Sequence, residues 1–509
     1  MPIKNGANQP KKDLWNVLIY MSADNNLSEE AVYALTEINR LEFDDRINVV
    51  AQFDSNVRGL KPKRYVFRNR GQASLHPARI TSKQHPNALN RLSDLEDKAF
   101  PPKSKNGARI ASADDDEPDD FENFADPKVL KDFIKNGSRL AEARTFLVLS
   151  GHGGGAVGDF MTDNTPPASL KLPNLKGVLN DLGFKPNKNG KLDILGLDCC
   201  LMSMAEICYE LSNNVRYLVG SEGFVLEAGW PYFQILDELN QAPEIGTEEL
   251  ACKVVEKYAQ FYSEYTLAGV STDHAVTDLD KKKMDRLVGG VKALVEKLLI
   301  GLDDKLIRDA IIVAHWRAQS YKYEQHTDLW DFCHLLARAC NRLKTAKARL
   351  TVEGDILTEL ILACEEVKDA IVGKNKQGMV IKACYTGPAV QFSRGLSIYF
   401  PWNQGTYARE YRNLPFAWAT RWDDFLREYI RKTCRPIRGE DSHSRGKRVG
   451  PIPNSFFPLL GGFTSSGSKN GDINKNGDIN KNGDINKALQ NNIGSMKNMP
   501  ASCFECDCE

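Results

Sequence analysis

The sequence predicts an α/β fold built on a mainly parallel sheet. Two observations carry that expectation. Short apolar runs recur from Trp15 to Val219, and segments of helical spacing lie between them. Strands that alternate with helices make βαβ units, whose sheets are covered by helices on both faces.

Taken in order, Trp15–Met21 (WNVLIYM) is the first strand, followed by the polar turn SADNNLSEE and then by AVYALTEINRL, which has helical spacing. The Ser22/Asp24 cluster is the expected helix start. Ile47–Phe53 (INVVAQF), Thr145–Leu149 (TFLVL) and Leu192–Leu197 (LDILGL) are the next strands. The last of these precedes MSMAEICYEL, of helical period, and Val215–Val219 (VRYLV) is a fifth strand. Between Asn69 and Asp126 the pattern fails. The polar, charged stretch there reads as a mobile surface insertion at about 85–124. Helical patterns dominate from Thr247 to Val372. A late strand, GLSIYFP (Gly395–Pro401), precedes a helical stretch, and beyond about Arg435 the chain is rich in Gly, Ser, Asn and Lys. The expected organisation is a core over 13–290, a C-terminal mostly helical extension over 291–435, and a low-complexity, disordered tail over 436–509.

The bulk numbers exclude several partners. The chain has 509 residues, too many for one ordinary domain. Its 67 basic and 67 acidic residues cancel, so charge makes no case for nucleic acid or an anionic membrane surface. No apolar run approaches the roughly 18 residues of a membrane helix. The N-terminal apolar run is short and ends in SADNN, which reads as a strand and not a signal peptide, so the expected location is cytoplasmic. The twelve cysteines lie mostly in core-like contexts, as reduced thiols do.

Chemistry concentrates at two strand ends. The third strand runs into Ser150-Gly151-His152-Gly153-Gly154-Gly155, and the fourth into Asp198-Cys199-Cys200-Leu201-Met202. Ligands bind outside the carboxyl ends of parallel strands, so neighbouring strands here present a histidine and a cysteine on one rim. A thiolate attacks a carbonyl carbon while an imidazole takes and returns the proton. The N–H groups of Gly153 and Cys200 are candidate oxyanion donors. A structural histidine and a buried Cys-Cys pair are the competing reading of the same residues.

The flanking motifs resemble a known family. WNVLIYMSADNNL, DPKVLKDFI, TFLVLSGHGGG, LDCCLMSMAEICYEL, GSEGFVLEAGWPY and RGLSIYFPWN are similar, in order and spacing, to the clostripain family of cysteine peptidases, over roughly 13–430. That family belongs to the caspase–gingipain–legumain group. The resemblance implies a three-layer α/β/α sandwich, a caspase-like fold, and endopeptidase action after basic P1 residues, Arg or Lys. Some members mature by self-cleavage and some respond to calcium.

Carried onto this chain, the resemblance implies His152 as catalytic histidine and Cys200 as nucleophile. Cys199 stands where a small residue is usual and offers a second thiol; its side chain is expected on the other face. A basic P1 side chain needs a carboxylate. Asp198 matches the family's acidic pocket position and equally reads as a carboxylate fixing the strand-end turn. Glu222 is a second candidate and equally reads as a solvated loop acid. Trp230 and Tyr232 wall the pocket or pack the loop. Exposed basic bonds for self-cleavage are offered at Lys103, Lys105, Arg109, Lys171 and Lys176.

The tail repeat NKNGDI, between Lys469 and Lys487, resembles part of a calcium loop, but the twelfth position from Asp472 is Gly483 and not Glu. Cys503, Cys506 and Cys508 lack an evident fourth ligand. No cofactor is required by the expected chemistry, calcium is a candidate one, and no metal ligands are assigned. His315 and His334 sit in apolar helical surroundings, as core or surface residues do. The expected partners are peptides or proteins with Arg or Lys at P1, with no nucleic acid and no membrane. A catalytically silent caspase-like scaffold is the alternative from another class.

Overall fold

The five apolar runs become the centre of one sheet. The computed structural model describes residues 15–54, 63–67, 123–138, 143–184, 190–321, 325–347 and 355–433, with the backbone of 503–504. Strands β1 (Trp15–Met21), β2 (Ile47–Phe53), β3 (Lys63–Phe67) and β4 (Arg144–Ser150) come first. The hairpin β5 (Phe160–Asn164) and β6 (Pro167–Leu170) follows, then β7 (Leu192–Asp198), β8 (Val215–Gly220) and β9 (Thr272–Asp278). Later come β10 (Ser320–Tyr321), β11 (His326–Asp328), β12 (Val380–Thr386), β13 (Ser397–Tyr399) and β14 (Cys503–Phe504). The large sheet has the order β14-β12-β9-β8-β7-β4-β1-β2-β3. From β8 to β2 all pairings are parallel, while both flanks are antiparallel.

Strand alternation sorts the core into two faces. On β1, Leu18 and Tyr20 join one apolar cluster and Val17, Ile19 and Met21 the other. The helices Ser28–Ile38, Tyr232–Gln241 and Thr247–Ser263 cover the second face. Pro127–Gly137, Leu172–Asp181, Ala205–Leu211 and Lys281–Gly301 pack on the first, with Ile356–Ile371 and Trp422–Thr433. The result is the three-layer α/β/α sandwich. Among the described residues, no helix is long and apolar enough to cross a membrane.

Two expectations about elements change. The first helix begins at Ser28, not at Ser22 or Asp24, and its N-cap Leu27 has no side-chain cap. Ser22 instead continues the sheet edge, its N–H donating to Ser150 O at 2.9 Å. The region read as helical from Thr247 contains β9, and β12 follows it; both belong to the large sheet. Their sequences, TDHAVTD and VIKACYT, carry polar residues that the fold pairs inside. Trp230 Nε1 donates to His274 Nε2 at 2.8 Å, and Lys382 meets Glu256 at 2.9 Å. The strand in GLSIYFP is β13, which joins β11 and β10 in a separate small sheet.

The expected boundary at 290/291 falls inside the Lys281–Gly301 helix, and β12, beyond it in sequence, pairs with β9. The expected insertion, up to residue 122, and the tail apart from the backbone of 503–504 lie outside the described residues.

Candidate active site

Register decides which side chains share the rim. β4 and β7 are neighbours, with Ser150 opposite Asp198, and Gly151 N–H donates to Asp198 O at 3.3 Å. Two residues further along each chain stand His152 and Cys200. The two loops touch at Gly153. A Cβ there would lie 2.3 Å from Cys200 O and 3.0 Å from Cys200 N, so only glycine fits. Beyond Cys200 the chain turns sharply at Leu201, whose φ of 66° is unusual for a branched side chain. The N–H of Leu201 donates to Gly223 O at 2.8 Å and holds the turn.

His152 and Cys200 both line a cavity of about 280 Å³. Its other walls come from Met21–Ala34, from Asp198, and from the loop Phe224–Gly229 with Tyr232. His152 is half-buried, and its Nε2 lies 2.8 Å from Asn26 Oδ1. Burial lowers the imidazole pKa, and the nearby Glu227 opposes that. The Cys200 thiol accepts from Val225 N–H at 3.3 Å and faces Val225 O at 3.6 Å. Burial pushes it up to about 11. Burial thus favours the neutral form of both groups.

The second thiol is elsewhere. Cys199 is buried on the far side of the strand, donating to Leu149 O at 3.2 Å with Met161 Sδ at 4.0 Å. It does not line the cavity.

Asp198 is 4% exposed yet borders the cavity. Ser150 Oγ and Tyr232 OH donate to its Oδ2 at 3.1 and 2.9 Å, while Oδ1 is buried with no hydrogen-bond partner. Burial pushes this carboxyl up to about 6. Tyr232 thus both packs and shapes the pocket. Trp230 packs beneath it, against Gly196 of β7, where a Cβ would meet the indole at 2.7 Å.

Glu222 is not at this cavity, nor is it a solvated loop acid. It is 0% exposed, and its Oε1 accepts from Gly395 N–H at 2.6 Å. Burial, with Asp328 and Asp273 beside it, drives its carboxyl well up. It braces the Ser221–Gly223 turn against the Gly395 segment. His315 is a core residue, stacked on Phe400 and Trp402, and His334 stacks on Trp330.

Three residues near the chemistry escaped the sequence reading. Asn26 touches His152, and Glu30 and Glu227 line the cavity. Burial lifts Glu30 to about 7, with Glu227 and Glu29 adding to the rise. Asn26 and Glu30 sit just past the carboxyl end of β1, where the strand-end rule that found His152 and Cys200 also applies. Of the basic residues expected at self-cleavage points, Lys171 is exposed beside the Leu172–Asp181 helix, and Lys176 lies within it, paired with Glu210 at 2.9 Å. Lys103, Lys105 and Arg109 lie outside the described residues.

The sequence model of the clostripain family matches residues 19–429, most of the chain. The chain belongs to the clostripain family. As a member, this clostripain-family protein is a cysteine peptidase, a hydrolase acting on peptides or proteins. Its fold is also that of a solved family structure. A secreted C11 cysteine protease from Bacteroides thetaiotaomicron, in complex with an irreversible peptide inhibitor, has a TM-score of 0.53 at 17% identity, covering 81% of this chain and 100% of that one. An inactive zymogen C11 protease from Parabacteroides distasonis has a TM-score of 0.48 at 18% identity, covering 81% and 99%. No curated protein matches the chain.

Proposed function

We propose that this clostripain-family peptidase cleaves bonds after Arg or Lys, with Cys200 as nucleophile and His152 as its proton acceptor. The observation that carries the specificity is Asp198. A buried carboxylate with one unpartnered oxygen, bordering a cavity that also holds the nucleophile, suits a guanidinium or ammonium group. Glu30 and Glu227 make the same cavity more acidic.

In this reading His152, kept neutral by burial, takes the thiol proton as sulfur attacks the scissile carbonyl carbon. The oxyanion is received by the N–H groups of Gly153 and Cys200, whose backbones are in close approach. The imidazolium gives its proton to the departing amine as the C–N bond breaks. Water, deprotonated by His152, then hydrolyses the thioester and frees the thiol. Asn26 holds the imidazole. The reaction uses no cofactor. Self-processing is proposed at Lys171 among the described residues.

Hydrolysis of reporter peptides ending in Arg, Lys or Ala tests the proposal. Wild type is expected to cleave the basic reporters only. Cys200→Ala abolishes cleavage and the self-generated N-terminus, whereas Cys199→Ala keeps both. Asp198→Asn lowers kcat/KM for basic reporters by about 100-fold or more, the cost of stranding a buried cation. Activity surviving in Cys200→Ala, or Asp198→Asn cleaving basic reporters as wild type does, overturns the corresponding assignment.

A further inference from the structure

Large apolar side chains left singly in water are ordinary on protein surfaces and need no explanation. Phe224 differs in its place. It is 54% exposed, and of the large apolar side chains exposed among the described residues it alone lines the peptidase cavity. Val225 and Leu226, half-buried, continue the apolar wall beside it.

The backbone that carries this ring is held at each residue. The buried Asp273 carboxyl group accepts from Glu222 N–H at 2.8 Å and from Gly223 N–H at 3.0 Å. A Cβ on Gly223 would lie 2.8 Å from Asp273 Oδ1 and 3.1 Å from Tyr321 Cδ1, so the chain reaches Phe224 through a glycine. Gly223 O accepts from Leu201 N–H at 2.8 Å, and Phe224 O from Thr272 Oγ1 at 3.1 Å. Val225 N–H donates to the Cys200 thiol at 3.3 Å. The ring thus projects from a fixed backbone, next in sequence to a direct contact with the nucleophile. An aromatic ring on a pinned backbone loses little freedom when it is covered.

The order of the strands decides which substrate residue meets this ring. The sheet runs β8-β7-β4, all parallel, so the 221–229 loop, Cys200 and His152 follow one another along one rim. In the reaction proposed above, on which this inference rests, His152 gives its proton to the departing amine. The leaving side of the substrate therefore lies toward β4 and the acyl side toward β8. The P1 side chain is taken by the cavity that Asp198 borders. The residue before it in the substrate, P2, then lies along the loop that carries Phe224. We infer that Phe224 is a specificity-determining residue that receives an apolar P2 side chain, so that preferred substrates carry a leucine, valine or phenylalanine ahead of the basic residue. Covering the ring, with Val225 and Leu226 beside it, removes apolar area of both partners from water.

The full chain is tested on reporters ending in Gly-Arg and in Leu-Arg, with a coumarin leaving group. For wild type, kcat/KM is expected to be about tenfold or more higher on Leu-Arg than on Gly-Arg, the effect of burying about half of a leucine side chain. Phe224→Ala brings that ratio to within about twofold of one, and Phe224→Leu, which keeps an apolar contact, restores most of it. Thermal unfolding checks that both variants fold, as substitutions of an exposed side chain should. Internally quenched peptides with Gly or Leu at P1′ read the other side of the scissile bond, where Phe224→Ala shifts no preference. Equal cleavage of the two reporters by wild type, a leucine preference that survives in Phe224→Ala, or a preference changed at P1′ in place of P2 overturns the inference and leaves the basic P1 reading standing. Cleavage of no arginyl reporter removes that reading, and this inference with it.

Discussion

Burial raises the thiol of Cys200 and lowers the imidazole of His152, and the thiol shift has a measurable signature. A thiol near 11 is almost wholly protonated at pH 7, and its thiolate fraction grows about tenfold for each pH unit. Alkylation of Cys200 by iodoacetamide, followed by peptide mass spectrometry, is therefore expected to accelerate about tenfold per unit between pH 7 and 9. A plateau beginning near pH 7 would instead mark a standing thiolate–imidazolium pair. At this scale the meeting of His152, Cys200 and Asp198 at one cavity was readable, because the ends of neighbouring parallel strands share a rim. Glu222 misled because a glutamate in a glycine-flanked loop looks solvated, and only the tertiary contact with Gly395 reveals its burial. Asn26 and Glu30 were hidden in SADNNLSEE, a stretch that reads as a helix start.

Elements are tied together here by buried carboxyls, and these set a pH dependence. Glu206, in the Ala205–Leu211 helix, accepts from Tyr399 N–H at 2.9 Å and from Tyr411 OH at 2.8 Å. Burial raises its pKa from 4.5 to about 7. The folded state thus binds this proton more tightly than the unfolded chain. Its contribution is full below pH 4.5 and declines as pH rises through 7, a loss of roughly 3 kcal/mol at most. Glu206→Gln keeps the acceptor oxygen and removes the titration. Its Tm is expected to fall less than that of wild type between pH 5 and pH 8, by calorimetry; equal falls would exclude Glu206 as the source. The parallel strands were legible because apolar runs need no partner to be recognised. β9 and β12 were not, since their interior Asp273, His274 and Lys382 become tolerable only through contacts with distant residues.

The molecule as a whole interleaves the two segments that the sequence divides at 290/291. β12 pairs with β9, Glu222 holds Gly395, and Glu206 holds Tyr399 and Tyr411. A chain ending at Ile300 or before is expected to lack cooperative unfolding and near-ultraviolet dichroism; a sharp transition in that fragment would show that the core stands alone. The brace between Glu222 and Gly395 also bears on how the protein is made. Residues 150–229 complete the rim early in synthesis, but the segment that steadies the Ser221–Gly223 turn is translated 173 residues after Glu222. At about 5–20 residues per second, the ribosome spends roughly 10–35 s between the two. During that interval a nascent chain carries Cys200 without the contact that steadies the Ser221–Gly223 turn, to whose Gly223 carbonyl Leu201 N–H donates.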